Sequence, residues 1–287
     1  MGSHHHQPGQ HYSAAQADAA MAELLDLDAE VMHSYLSEVT AWIHQLAADP
    51  PARRILDLGS GTGTGAFALL ERFDQADVTA LDVSAELLHR LNSKARVLGV
   101  ADRIRTVQAD LDAAWPAIDT VDLVWASSSL HHMADPDRVL AAVFTTLRPG
   151  GLLVAAEMVS FPRFLPDDLG LGRPGLEDRC HAVLAERQAA EMPHLGSDWG
   201  PRLSRAGFTV EAERPFVIDL APPLPAACGR YAQATLRRIR SGLDGRMSTG
   251  DLAALDTLID SHGPDGVLRR GDLAVRTART VWAARRP

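Results

Sequence analysis

Only two cysteines, Cys180 and Cys228, occur in 287 residues, and they stand far apart. That excludes a disulfide scaffold and argues against a structural zinc site. Lysine is nearly missing: Lys94 stands alone, so arginine carries almost all of the positive charge. No Lys/Arg-rich block interrupts a chain whose formal net charge is −9. An acidic surface repels polyphosphate, which speaks against a dedicated nucleic-acid binder. No apolar run approaches the roughly 18 residues that a membrane span requires. Met1–Gln10 holds three adjacent histidines but lacks the apolar core of a signal peptide, so the expected compartment is the cytoplasm, with no membrane partner. What is present suits a globular protein: 46% hydrophobic and 23% charged residues, enough to bury a core without staples.

The hydrophobic pattern divides the chain. Residues 1–12 are expected to form a flexible start. From Ala14 to Ala48 apolar residues, among them Leu24, Val31, Tyr35, Val39 and Ile43, recur at helical spacing until Asp49-Pro50-Pro51 stops the run, so residues 13–50 read as a helical cap. Short β-rich runs then alternate with helical ones. Strands are expected near Arg54–Leu58, Val78–Leu81, Ile104–Ala109, Val121–Ala126 and Leu152–Glu157, with helices near Thr64–Phe73, Ala85–Leu98 and Asp137–Leu147. Repeated βα units demand a parallel sheet covered on both faces, which gives residues 51–160 as a core. The pattern breaks after Glu157. Residues 161–203, rich in Pro, Gly, Arg and Asp and with one helical run near Leu176–Ala190, read as a lid or substrate insertion. Residues 204–287 return to the sheet, with strands near Phe208–Leu220 and Ala274–Ala284 around helical runs at Ala226–Ile239 and Asp251–Ser261. The expected fold is α/β: a Rossmann-like, mostly parallel, seven-stranded sheet with an antiparallel edge strand, helices on both faces and helical lid insertions.

The most informative segment is Ile55-Leu56-Asp57-Leu58-Gly59-Ser60-Gly61-Thr62-Gly63-Thr64-Gly65. An apolar strand runs into a glycine-rich turn and then a helix, whose first N–H groups are unpaired. Glycine lets backbone amides approach a ligand closely, so the geometry suits a nucleotide-like cofactor. A dinucleotide fingerprint fits only from Gly61, through Gly63 and Ala66. The pattern acidic-x-G-x-G-x-G fits Asp57, Gly59, Gly61 and Gly63. This resembles motif I of the class I S-adenosylmethionine-dependent methyltransferases. The resemblance runs from about Arg53 to Met158 and includes Val121–Met133, with its Leu130-His131-His132 stretch, and Leu147–Gly151.

The resemblance implies S-adenosyl-L-methionine as cofactor and S-adenosyl-L-homocysteine as product. Asp57, Gly59, Ser60, Gly61 and Gly63 would hold the amino-acid end, and Ser127 would also touch the cofactor. Asp82, 23 residues after Gly59, would accept from the ribose hydroxyls, next to Val83. Asp110 would accept from the adenine amino group and the Leu111 amide would meet the ring. Plainer roles stand beside these: Asp57 as a turn cap, Asp82 as a helix N-cap that Ser84 can fill instead. The segment Ser127-Ser128-Ser129 lacks both the Pro-Pro-aromatic stack of DNA amino-methylating enzymes and the metal-binding carboxylate of catechol-type enzymes, so no nucleic acid and no metal is expected. The implied activity is methyl transfer to a small molecule, as in secondary metabolism, with a homodimer as an expected assembly. A cofactor-binding enzyme of non-methylating chemistry and a nicotinamide oxidoreductase are the alternatives.

The sulfonium methyl is already activated, so such a protein mainly aligns acceptor and donor. A base is needed only where the acceptor must lose a proton. His131 is the candidate base or hydrogen-bonding group, with an ordering role for its loop as the alternative; Glu157 either orients substrate or caps a turn. Tyr12, His181 and Trp199 are further candidates for the substrate side, and Phe161, Phe164 and Met192 for an apolar lining. Arg163, Arg173 and Arg179 can hold an anion or face solvent.

Overall fold

Ile55, Leu123, Trp125, Val154 and Ala156 pack on one face of a sheet, and Leu56, Leu58, Val124, Leu153 and Ala155 on the other; all are buried. Strands buried on both faces need helices above and below. The computed structural model describes residues 14–47 and 49–287. Among these, β1 (Arg54–Leu58), β2 (Asp77–Asp82), β3 (Ile104–Gln108), β4 (Val121–Ser127), β5 (Leu147–Met158), β6 (Thr209–Leu220) and β7 (Val275–Arg285) form one sheet in the order β3-β2-β1-β4-β5-β7-β6. The first five strands pair in parallel, and β7 runs antiparallel to both β5 and β6, so antiparallel pairing is confined to one edge. The order reverses beside β1, which leaves a crevice at the carboxyl ends of β1 and β4, where ligands of open α/β sheets bind.

The helices are α1 (Ala14–Val31), α2 (His33–Leu46), α3 (Thr64–Arg72), α4 (Ala85–Leu98), α5 (Pro136–Thr146), α6 (Leu176–Glu191), α7 (Gly200–Arg205), α8 (Ala226–Ser241) and α9 (Thr249–Ile259). Residues of α2, α3, α4, α6, α8 and α9 share one core layer; α5 and α7 cover the other face. Ser84 caps α4 by accepting from the Leu87 amide, and Asp135 caps α5 by accepting from the Arg138 amide.

Three local readings need correction. The run Ala14–Ala48 is two helices, because the buried Met32 leaves helical dihedrals (φ −91°, ψ 13°). The break lets α1 cross to α4 and α8 while α2 packs on α3. The fifth strand begins at Leu147, since the Arg148–Gly151 turn lies inside it as a register shift between Val121/Leu147 and Leu123/Leu152. The short helix α7 follows no apolar period and has no counterpart in the sequence reading. The expected flexible start, with Tyr12, lies outside the described residues. No described helix is long and apolar enough to cross a membrane.

Candidate active site

The turn after β1 is shaped by two glycines. Gly59 has φ +67°, and a Cβ there would come within 2.6 Å of the Ser129 Cβ, so only glycine lets the turn lie against the loop after β4. Gly61 has φ +54°, and a Cβ there would sit 3.1 Å from Leu25 Cδ1 on α1. The turn is tied to its neighbours: the Ser60 amide donates to the Leu81 carbonyl at 2.8 Å, and the Gly61 amide to Asp82 Oδ2 at 2.8 Å. Asp82 Oδ1 accepts from the Ser84 amide at 2.9 Å. Asp82 therefore orders the turn while Ser84 does the capping, and each carboxylate oxygen keeps a further lone pair for a ligand hydroxyl. Above the turn, Asp26 of α1 accepts from Thr62 Oγ1 at 2.6 Å and pairs with Lys94 of α4.

Asp57 is buried beneath this turn, and its Oδ2 has no hydrogen-bond partner. Burial pushes its carboxyl up to about 7; the like charge of Asp82 adds to the rise and the Ala66 amide opposes it. The folded value lies above the unfolded one, so Asp57 stabilises the fold fully below the unfolded value of 3.8, and that contribution is lost as pH rises through about 7. Chemical denaturation of the ligand-free protein at pH 5 and pH 8 should show this loss, and Asp57→Asn should flatten it. An identical pH dependence in wild type and variant would contradict the assignment.

The ends of β2 and β3 are joined by Gln108 Nε2, which donates to the Val83 carbonyl at 3.1 Å, and by the Ala109 amide, which donates to the Asp82 carbonyl at 3.0 Å. Val83 is exposed and Asp110 faces solvent, with Oδ1 accepting from the Asp112 amide at 2.9 Å; Leu111 is buried behind them. Asp57, Asp82 and Asp110 thus stand at the ends of three adjacent strands. A buried carboxylate oxygen without a partner, beside glycines that leave no room for a Cβ, fits a ligand with an ammonium, a sugar and a base. Among the described residues no group of three or more His, Cys, Asp or Glu side chains can hold a metal ion.

At the ends of β4 and β5, Glu157 Oε1 accepts from the Ser129 and Leu130 amides at 3.1 and 2.8 Å, and Oε2 lies 2.5 Å from His131 Nδ1. Both side chains are almost fully buried, at 2% and 3% exposure. Glu157 therefore caps the short turn Leu130–His132 and fixes the ring of His131. A carboxylate on Nδ1 sets the tautomer and the orientation of the ring. Both Glu157 oxygens are engaged in these contacts.

Arg279 on β7 meets the loop after β4 at Ser128 and has no place in the motif reading. Its guanidinium is buried; Nη1 donates to Ser128 Oγ at 2.6 Å and Nη2 to Asp28 Oδ1 at 2.8 Å. Tyr231 of α8 also donates to Asp28 Oδ1, at 2.7 Å. Ser128 holds this position with φ +50°, in the left-handed region that side chains avoid. Tyr35 lies below the guanidinium carbon, which is 5.8 Å from its ring centre. Burial pushes the Tyr35 phenol up to about 12; Asp28 and Glu157 add to the rise and Arg279 opposes it. One sequence signal existed for Arg279. Val275, Thr277, Arg279, Val281 and Ala283 alternate inward along β7, and a charge in such a row needs a partner.

Other candidates stand elsewhere. Trp199 is a core residue packed with Leu203 and Trp282 on the α5 face. Phe164 is likewise core, edge-on to Tyr231 at 5.2 Å. His181 has Arg163 and Asp178 as charged neighbours; burial lowers its imidazole to about 4, Arg163 adds to the fall and Asp178 opposes it. Arg173 and Arg179 hold an internal carboxylate, Asp251, both at 2.7 Å, and Arg163 pairs with Asp178.

Comparison with known proteins agrees with this geometry. Residues 55–151 match the methyltransferase-domain family. The chain is 35% identical over 163 residues to a malonyl-acyl-carrier-protein O-methyltransferase of Laribacter hongkongensis, covering 54% of this chain and 50% of that one. It is 32% identical over 157 residues to the 27-O-demethylrifamycin SV methyltransferase of Amycolatopsis mediterranei, covering 50% and 57%. The chain thus spans about half the length of the curated relatives it matches. Among solved structures, the 4+2 cyclase SpnF superposes with a TM-score of 0.54 at 18% identity over 96% of each chain, a likeness of fold. The matched stretch thus carries a methyltransferase domain, set in a Rossmann-like, mostly parallel sheet with an antiparallel edge.

Proposed function

We propose that this chain transfers the methyl group of S-adenosylmethionine to a small-molecule acceptor. The observation that carries the reading is the buried Asp57 carboxylate with an unpartnered oxygen beneath the glycine turn. Asp57 would pair with the cofactor ammonium, the turn Gly59–Gly63 would supply amides, and Ser127 would border the same end. Asp82 would take the ribose hydroxyls beside Val83, and Asp110 and the Leu111 amide the adenine. Bound there, the cofactor supplies an activated methyl group.

This chain's residues do the rest. α1 crosses the turn through Asp26 and shields it from water. Residues 161–203 serve as a lid whose helix α6 is anchored by Glu177, which accepts from the Phe164 and Leu165 amides, and by the Asp251 pairs. His131, oriented by Glu157, takes the proton from an acceptor hydroxyl or activated carbon as it attacks in line. The name of one relative, a 27-O-demethylrifamycin SV methyltransferase, supports a small acceptor. So does the net charge of −9, which disfavours nucleic acid. Incubation with methyl-labelled S-adenosylmethionine and candidate acceptors tests the reading. Label in the product supports it; product formed without label identifies a non-methylating enzyme.

A further inference from the structure

Five groups from separate parts of the chain converge beside the loop after β4: Asp28 on α1, Tyr35 on α2, Ser128, Tyr231 on α8 and Arg279 on β7. Four of them form a fixed wall. Arg279, Tyr231 and Tyr35 are buried, at 5%, 3% and 8% exposure, and Ser128 is locked to Arg279 Nη1. The fifth, Asp28, is the half-exposed member, its side chain 31% exposed, and hangs from the helix that crosses the cofactor turn. Its two oxygens lie 2.8 and 3.2 Å from the same Arg279 nitrogen, Nη2. That contact is not the two-pronged pairing in which a carboxylate meets two guanidinium nitrogens.

The wall offers more donors than Asp28 uses. Arg279 Nε–H and the Tyr35 hydroxyl are both buried and have no acceptor. A buried donor without a partner costs free energy, so each such group calls for an explanation. Together with Nη2 and the Tyr231 hydroxyl they make four donors on three neighbouring side chains, a match in number for the four lone-pair positions of a carboxylate. The wall also adjoins the cofactor turn: Ser129, next to Ser128, is the residue against which Gly59 packs.

We propose that Arg279, Tyr231 and Tyr35 form a seat for a carboxylate of the methyl acceptor, and that Asp28 occupies this seat until the acceptor displaces it. The proposal rests on the methyltransferase reading for the word acceptor; the seat itself rests on the geometry alone. It separates the two partners of one ion pair. In an ion pair that serves only the fold, loss of either partner weakens the protein in the same direction. In a seat with an internal occupant, loss of the occupant's charge frees the seat, while loss of a wall donor removes it.

The test is calorimetric titration of the full chain with acetate, propionate and benzoate, and with the corresponding amides, in the absence and presence of saturating S-adenosylhomocysteine. The carboxylates should bind and the neutral amides should not. Asp28→Asn should bind the carboxylates about tenfold more tightly, whereas Arg279→Met and Tyr231→Phe should weaken them about tenfold or more, the range expected for charge-assisted hydrogen bonds. Arg279→Lys serves where circular dichroism shows that the methionine variant is unfolded. No carboxylate binding to wild type or Asp28→Asn would overturn the proposal, as would weaker binding to Asp28→Asn. A response to S-adenosylhomocysteine without one to carboxylates sinks the seat and leaves the methyltransferase reading standing. Carboxylate binding without a response to S-adenosylhomocysteine does the reverse.

Discussion

Replacing Gly61 with valine is expected to abolish binding of S-adenosylmethionine, raising the dissociation constant by about 100-fold or more, equivalent to about 3 kcal/mol. Two effects combine. The residue sits at φ +54°, where a β-branched side chain is strained, and its Cβ would lie 3.1 Å from Leu25 Cδ1. Leu25 or the turn must then shift, and a strained turn takes the Gly61 amide out of line with Asp82 Oδ2. The backbone could no longer approach a ligand from this side. Asp82→Ala provides the graded comparison. It removes one acceptor group and leaves the glycines in place, so it should cost about 1–3 kcal/mol of binding. Calorimetry on folded protein, with circular dichroism as the control, checks both. Unchanged affinity in the valine variant would place the cofactor elsewhere.

Replacing His131 with alanine is expected to lower turnover by about 10²- to 10⁴-fold, the range that a positioned proton acceptor supplies. Affinity for the cofactor should be unchanged, because the ring contacts Glu157 and not the glycine turn. Glu157→Gln separates base from orienter. The glutamine keeps an oxygen for the Ser129 and Leu130 amides but loses the charge that faces Nδ1. Turnover should fall less than in His131→Ala, because the ring stays in place but is no longer held by a carboxylate. Single-turnover measurement with an acceptor that takes label in the wild-type assay checks this. An unaltered rate in His131→Ala would remove the ring from the mechanism; an unaltered rate in Glu157→Gln would leave Glu157 as a turn cap alone.

What could be read in advance and what could not follows from how each feature is encoded. The strand–turn–helix around Asp57 to Gly65 is contiguous, so its apolar run, its glycines and its acidic residue announce themselves together. The placing of Asp82 at the end of β2 was legible in the same way, and Asp110 stands two residues past the end of β3. His131 and Glu157 were both singled out, yet their pairing was not, because it joins β4 to β5 across 26 residues and depends on register. Arg279 and Asp28 meet across 251 residues and belong to no motif. The inward row on β7 holds the clue to Arg279, but Asp28, on the polar turn of an amphipathic helix, gives none. The break at Met32 escaped the periodicity because an apolar residue there suits either one long helix or two. For Arg173 and Arg179 the sequence offers a ligand anion or a solvated face, and tertiary packing instead brings Asp251 to them.

The account stands on the crevice at the ends of β1, β2 and β3 being the seat of the sulfonium donor. A crystal structure grown with S-adenosylhomocysteine measures this most directly. The predicted density has its ammonium against Asp57, its ribose on Asp82 and its adenine beside Asp110. Density for the nucleoside at any other surface, with Asp57 still unpartnered, would contradict it.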